Sequence, residues 1–344
     1  MSATAIYESM KVKLHNIVPE SELAYKAEIA EQINQLKVQR NAIILGHNYM
    51  EPALFNSVPD FTGDSLELSR KAAATDKDII VFCGVRFMAE TAKILNPKKT
   101  VLLPAKVAGC SLAASITAAD VRQLKQQFPG VPVVTYINTY ADVKAECDIC
   151  CTSGNAAKVV ESFGTDTIIF LPDEYLARNV AQETGKHIIF PSHQPTGKFS
   201  NDLDYQMIGW HGRCEVHDRF TVSDIENIRT HFPDTVILAH PECSPEVVNA
   251  SDFAGSTSAM IKFIETTDKP RYLLLTECAM GDNIAAANPH KEMLRLCSVR
   301  CPHMNEITLE DTLESLLLTQ YVIEIPEEIR VRAARSVQRM LEIG

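Results

Sequence analysis

The stretch AIILGHNY (Ala42 to Tyr49), with GDSLELSR (Gly63 to Arg70), DIIVFCGV (Asp78 to Val85) and VLLPAKVAGC (Val101 to Cys110), decides the fold because its plan occurs three times. The second copy reads VPVVTYINT (Val131 to Thr139), CTSGNAAKVV, DTIIFLPD and a longer run into HGRC, which ends at Cys214. The third reads TVILAHPE (Thr235 to Glu242), GSTSAMIKFI, RYLLLTEC and a segment containing Cys301. Counted from the serine of each small-residue turn, Ser65 to Cys110 and Ser256 to Cys301 both span 45 positions, whereas Ser153 to Cys214 spans 61. The excess of 16 falls in PSHQPTGKFSNDLDYQ (191–206), a polar, proline-containing stretch with the composition of a surface insertion. A fixed period implies a repeated supersecondary unit. Three related units around a pseudo-threefold axis would carry Cys110, Cys214 and Cys301 to one point, where three thiolates make a metal or cluster site.

Short, continuous apolar runs such as AIIL, DIIVF, TVLL, VPVVTY, DTIIF, HIIF, TVILA and YLLL have the pattern of strands buried on both faces of parallel sheets. Helical segments alternate with them. ITAADVRQLKQQF and SDIENIRTHF each close in Phe-Pro before a strand, with Thr117 and Ser223 as expected N-caps and Pro129 and Pro233 just past the ends. Strands alternating with helices predict right-handed βαβ crossovers. The expected architecture is α/β: three related three-layer αβα domains with parallel sheets around a pseudo-threefold axis, and the active site at the centre. The expected boundaries are 24–117, 118–221 and 222–318, with helical extensions at 1–23 and 319–344. Beyond about Asp311 the pattern reads as wholly helical, ending in a basic amphipathic helix that packs on the protein's own surface.

Composition narrows the function. The 344 residues suffice for a large core, and 46% hydrophobic with 22% charged residues is ordinary globular usage. A net charge of −11 argues against general nucleic-acid or anionic-membrane binding. The amino terminus lacks the apolar stretch of a signal peptide and no apolar run is long enough to span a membrane, so a cytoplasmic location is expected. Ten cysteines in such a chain read as thiols and metal ligands rather than disulfides.

Ligands of open parallel sheets collect at the carboxyl ends of the strands. Those ends offer His47 and Tyr49, Tyr136 and Asn138, and His240 and Glu242, each pair two residues apart and so facing one way. The turns GDS, CTS and GST put Ser65, Ser153, Ser256 and Thr257 at expected helix N-termini, where backbone N–H groups and the helix dipole favour phosphate or carboxylate. Singly, a strand-end histidine is more often structural and a GDS turn more often a plain cap. Their recurrence in three copies favours a functional reading, with a substrate bearing several anionic groups.

In LGHNYM, TGDSLELSR, FCGVRFMAETAKIL, AGCSLA, VVTYINT, VKAECDICCTSGNA, GRCEVH, HPEC, GSTSAM and CPHMNEITL, spread from Leu45 to Leu309, the chain resembles the quinolinate synthase family of NAD biosynthesis. That resemblance implies a [4Fe-4S] cluster held by three cysteines, with the fourth iron open to act as a Lewis acid. It also implies condensation of iminoaspartate with dihydroxyacetone phosphate to quinolinate, releasing phosphate and two waters. By matching motif, Glu242 would be the general base, with His240, His217, Tyr49 and Tyr136 moving protons or holding oxygens. His47, Ser65, Asn138, Ser153, Ser256 and Thr257, with His240 and Glu242, would bind phosphate and carboxylates.

Either Cys297 or Cys301 could be the third metal ligand; repeat spacing and the Cys-Pro-His-Met context favour Cys301. Family members with closely spaced cysteines here suggest a redox disulfide, but the three-residue gap departs from the usual two. Cys147, Cys150 and Cys151 lack counterparts in the other copies and read as buried thiols, as do Cys83, Cys243 and Cys278. The alternative chemistry is a zinc lyase or hydrolase with three cysteine ligands and a water. An aspartate-oxidising enzyme is an expected transient partner, because iminoaspartate hydrolyses readily.

Overall fold

The computed structural model describes residues 1–165, 167–191, 205–296 and 299–343. Among the described residues, thirteen strands form three wholly parallel sheets, flanked by helices. The first contains β1 (Ala42–His47), β2 (Phe61–Gly63), β3 (Ile79–Cys83) and β4 (Thr100–Leu102), in the order β2-β1-β3-β4. The second contains β5 (Val133–Tyr136), β6 (Ile149–Cys151), β7 (Ile168–Leu171), β8 (Ile188–Ile189) and β9 (Met207–Ile208), in the order β6-β5-β7-β9-β8. The third contains β10 (Val236–Ala239), β11 (Phe253–Ala254), β12 (Arg271–Leu275) and β13 (Glu292–Leu294), in the order β11-β10-β12-β13. The α/β class and the parallel sheets are as expected from continuous apolar runs; every residue of β1, β3 and β7 is buried.

One clasp repeats in all three sheets. Asp60, Asp148 and Asp252, each just before the strand that pairs beside the first, accept through Oδ2 from the backbone N–H of Ile44 (2.9 Å), Val133 (2.8 Å) and Ile237 (2.8 Å). Each returns its own N–H to the carbonyl of the same residue, at 2.8, 2.9 and 2.8 Å. Ser65, Ser153 and Thr257 each lie five residues after their aspartate. Thr257, not Ser256, is therefore the third-copy counterpart, a register that the small-residue turns alone do not reveal.

The insertion alters the second sheet in an unexpected way. HIIF occupies the sequence place of a fourth strand, but its β8 lies at the outer edge, and β9 takes the position next to β7 that β4 and β13 hold in the other sheets. The extra chain thus adds an edge strand; residues 192–204 of the expected insertion 191–206 lie outside the described residues.

Two expectations are corrected. Thr117 does cap the helix Ala118–Gln127 in a capping box with Asp120, but the matching helix Val222–His231 is capped by Thr221 with Asp224, and Ser223 lies inside it. Thr221 wins because its hydroxyl reaches the Asp224 N–H at 3.3 Å while Asp224 returns to the Thr221 N–H at 2.8 Å. The C-terminal region is not wholly helical. After the helix Leu309–Leu318 the chain extends along β4, with Ile323 N–H donating to Val101 O (2.9 Å) and Leu103 N–H to Tyr321 O (3.2 Å). The edge of β4 supplied unpaired backbone groups, and this segment satisfies them. The final helix, Glu327–Ile343, buries Ala333, Val337 and Met340 and packs against β6, where Arg339 donates to Asp148 O at 2.8 Å. Among the described residues, no helix is long and apolar enough to cross a membrane.

Candidate active site at the strand ends

The carboxyl ends of β1, β5 and β10 open onto one pocket. Of the candidates from sequence, His47, Tyr49, Ser65, Tyr136, Asn138, Ser153, His217, His240, Glu242 and Thr257 line it, as do Cys110, Cys214 and Cys301. Ser256 does not; its hydroxyl caps the helix Thr257–Thr266 by accepting from Ala259 N–H at 3.3 Å. Cys83, Cys147, Cys150, Cys151, Cys243 and Cys278 are buried away from the pocket, and Cys297 lies outside the described residues.

Repetition is visible in the hydrogen bonds. His47 Nδ1 accepts from Tyr49 N–H at 3.2 Å, and His240 Nδ1 accepts from Glu242 N–H at 3.3 Å. An accepting Nδ1 places the proton of the neutral ring on Nε2. Burial lowers the pKa of His47 to about 4 and that of His240 to about 3, so both are neutral at physiological pH.

These shifts have a sign. Each folded pKa lies below the unfolded value of about 6.5, so below that pH the unfolded chain binds more protons and stability falls as the medium is acidified toward the folded pKa. His47→Gln should flatten the fall in unfolding free energy between roughly pH 6.5 and 4, by about 1.4 kcal/mol per pH unit at most. Urea titrations at several pH values would check it, and an unchanged slope would refute the assignment.

Glu242 is the hub. Its Oε1 accepts from Tyr136 OH at 2.5 Å and from Asn138 Nδ2 at 3.4 Å, and its Oε2 lies 2.9 Å from His217 Nδ1. Burial alone would raise its pKa; His217, His240 and Tyr136 outweigh that and hold it below the usual carboxylate range. Burial, followed by the Glu242 charge, keeps Tyr49 and Tyr136 well above the ordinary phenol value.

A continuous chain leads on from Glu242. His217 Nε2 lies 2.9 Å from Thr276 Oγ1, which lies 2.5 Å from Tyr49 OH. With Glu242 ionised, one consistent set of directions runs Tyr49 O–H to Thr276, Thr276 O–H to His217 Nε2, and His217 Nδ1–H to Glu242. A proton entering at one end reverses the bonds and leaves at the other. The sequence reading missed Thr276. Its signal is its place directly after β12, the third strand of its sheet, whereas the recurring His, Tyr and Glu positions all follow first strands. Asn138 Oδ1 is buried without a hydrogen-bond partner in the pocket wall, an acceptor open to a ligand N–H or O–H.

The helix N-termini are partly committed to their own caps. Asp64 uses the N–H groups of Leu66 and Glu67, both at 3.0 Å. Ser65 and Thr257 open their helices as expected, but the second-copy helix is Ala156–Glu161 after Asn155, so Ser153 stands in the preceding turn rather than at a helix N-terminus; all three residues line the pocket. No Lys or Arg lines the pocket among the described residues.

The cysteine loops are tied to helix N-termini. Arg86 N–H donates to Ala108 O (2.7 Å) and Glu174 N–H to Gly212 O (2.8 Å), each carbonyl two residues before its cysteine. A Cβ at Gly212 would stand 2.5 Å from Pro172 O. Gly212→Ala should therefore destabilise the protein by about 1–3 kcal/mol, as overpacking against fixed backbone does; a denaturation midpoint equal to wild type would show that the loop yields freely.

Burial raises the thiol pKa values, to about 12 for Cys110 and about 11 for Cys301, and well above the ordinary value for Cys214. Thiols so placed lose their protons to a bound cation rather than spontaneously. Among the described residues, the one set of three metal-capable donors within 4.8 Å of one another is Cys214, His217 and Glu242. The sulfurs of Cys110, Cys214 and Cys301 do not all lie within that distance of one another. Zinc with bonds of about 2.3 Å would need its sulfurs roughly 4 Å apart, so the donor set fits a polynuclear group better than a single ion.

The chain matches a family model described as quinolinate synthetase A protein over residues 31–342. It is 49% identical over 342 residues to quinolinate synthase 2 of Mesorhizobium japonicum, covering 99% of this chain and 98% of the relative. It is 51% identical over 313 residues to quinolinate synthase of Xylella fastidiosa, covering 91% and 86%. With quinolinate synthase of Caulobacter vibrioides it shares 48% identity over 337 residues, covering 97% and 86%.

Proposed function

The chain belongs to the quinolinate synthetase A family, and from that premise we propose that it is a quinolinate synthase of NAD biosynthesis. It condenses iminoaspartate with dihydroxyacetone phosphate, releasing phosphate and two waters. The observation that carries this reading is the gathering of Cys110, Cys214 and Cys301, one from each repeat, on the pocket that also holds the Glu242 network.

Cys110, Cys214 and Cys301 would hold a [4Fe-4S] cluster. Such a cluster would supply Lewis acidity toward a substrate hydroxyl that leaves as water. The rest is done by side chains. Ionised Glu242 removes a proton from carbon beside a carbonyl, as tautomerisation and ring closure require. Tyr49 and Tyr136, held as phenols, return protons to oxygen, and Thr276 and His217 recharge Tyr49. Neutral His47 and His240 donate through Nε2 to substrate oxygens. The hydroxyls of Ser65, Ser153 and Thr257 hold phosphate and carboxylate oxygens, while Asn138 Oδ1 accepts from the imine or amine nitrogen. Closely placed neutral donors suit a pocket without Lys or Arg, because binding anions through hydroxyls and ring N–H groups leaves Glu242 free as a base.

The test is anaerobic. Purified protein is expected to contain iron and acid-labile sulfide and to form quinolinate from the two substrates. The alternative of a zinc lyase or hydrolase with three cysteine ligands is disfavoured by the sulfur spacing; a single zinc would find its close donors in Cys214, His217 and Glu242 instead. It would require the His217–Glu242 hydrogen bond to give way to the ion, and would yield colourless protein without sulfide. Intact cluster without quinolinate formation would refute the proposed reaction. A cytoplasmic location, as the sequence pattern suggests, belongs to the same proposal, and transient contact with an aspartate-oxidising enzyme would shield the labile imine from water. Conversion of labelled aspartate by both enzymes together, at a rate that free imine hydrolysis cannot support, would check the contact.

A further inference from the structure

The three cysteine loops touch one another outside the catalytic network, and each contact uses residues directly beside a cysteine. Ser111, after Cys110, donates from Oγ to Arg213 O at 3.3 Å and accepts from Glu215 N–H at 3.2 Å, which joins the first loop to the second. Glu215, after Cys214, meets His303 Nε2 through Oε1 at 3.0 Å, which joins the second loop to the third. His303, two residues after Cys301, lays its ring against Gly109, with Nδ1 and Cε1 each 3.5 Å from the place a Cβ would occupy, and so joins the third loop to the first. Ser111, Glu215, His303 and Gly109 all line the pocket.

We propose that Ser111, Glu215 and His303 form a closed latch that holds the three cysteine loops at cluster-binding spacing and covers the cluster from oxidants, so that Glu215 and His303 are positioning residues. The inference rests on the cluster reading above. The closed circuit is the reason for assigning a role: each cysteine loop touches both others through a residue within two positions of its cysteine, and the second loop is also held from its other side by Arg213 to Glu174 and Asp218. The side chains of His303 and Glu215 are 28% and 44% exposed, so Coulomb attraction in this pair is screened and its contribution lies in geometry.

The experiment uses anaerobically reconstituted full-length protein exposed to air, with loss of iron–sulfur absorbance as the readout. Glu215→Ala and His303→Ala should each bleach roughly 5-fold faster than wild type, a coupling of the size expected for contacting side chains. Glu215→Gln, which still presents an oxygen to His303 Nε2–H, should bleach at the wild-type rate, and the double alanine variant should be no faster than either single one. In metal-free protein, thiol labelling should quicken at Cys110, Cys214 and Cys301 and stay unchanged at buried Cys83 and Cys150. Bleaching within about 2-fold of wild type in both alanine variants, single-variant effects that multiply in the double variant, or a rise in labelling at all thiols alike would each overturn the latch. Failure of wild-type protein to take up iron and sulfide would instead refute the cluster reading on which it rests.

Discussion

Glu242→Gln should lower kcat for quinolinate formation by about 10²- to 10⁴-fold, the range expected for loss of a positioned general base. Glutamine matches glutamate in size, so Cys110, Cys214 and Cys301 keep their places and the iron content should equal that of wild type. The chemistry changes for two reasons. An amide cannot take a proton from carbon. Its NH2 group must also face either Tyr136 OH or His217 Nδ1–H, both now donors to the carboxylate at 2.5 and 2.9 Å, so one donor loses its acceptor. The check is steady-state turnover alongside iron and sulfide analysis. Activity within 10-fold of wild type, with full iron, would remove Glu242 from the proton-transfer steps.

Thr276→Val should reduce kcat by about 10²-fold, the lower end for an assisted proton transfer, and should destabilise the protein by about 1–3 kcal/mol for each buried partner left unpaired. Valine keeps the branched shape of threonine but removes the oxygen that lies 2.5 Å from Tyr49 OH and 2.9 Å from His217 Nε2. Thr276→Ser restores the hydroxyl and should recover most of the rate. A merely structural threonine would give the opposite pattern, with serine and valine equally active once their stabilities are matched. Comparing kcat in the two variants well below their melting temperatures separates the cases.

Much of the site could be found in the sequence because three copies of one unit expose what a single copy hides. His47, Tyr136 and His240 each close or directly follow a buried first strand, and Tyr49, Asn138 and Glu242 stand two residues on, where alternation turns the side chain the same way. Thr276, Glu215 and His303 were not legible because their partners come from other repeats. Thr276 follows the third strand of its sheet and meets Tyr49 across 227 positions of chain. The registration of Thr257 with Ser65 and Ser153 needed the aspartate clasps, in which a carboxylate accepts from the backbone of the neighbouring strand, and these leave only one acidic residue per copy as a trace.

The α/β class, the threefold repetition and the three cysteines that line one pocket were legible in the chain itself, because strand burial and repeat period are written locally along it. Only the packed molecule shows that β9 and not β8 pairs with β7, how the C-terminal segment pairs along β4, and that the hydrogen-bond chain from Tyr49 to Glu242 closes through Thr276. These depend on distances between residues far apart in the chain. Such distances are set by the packing of whole sheets and helices against one another rather than by any local preference.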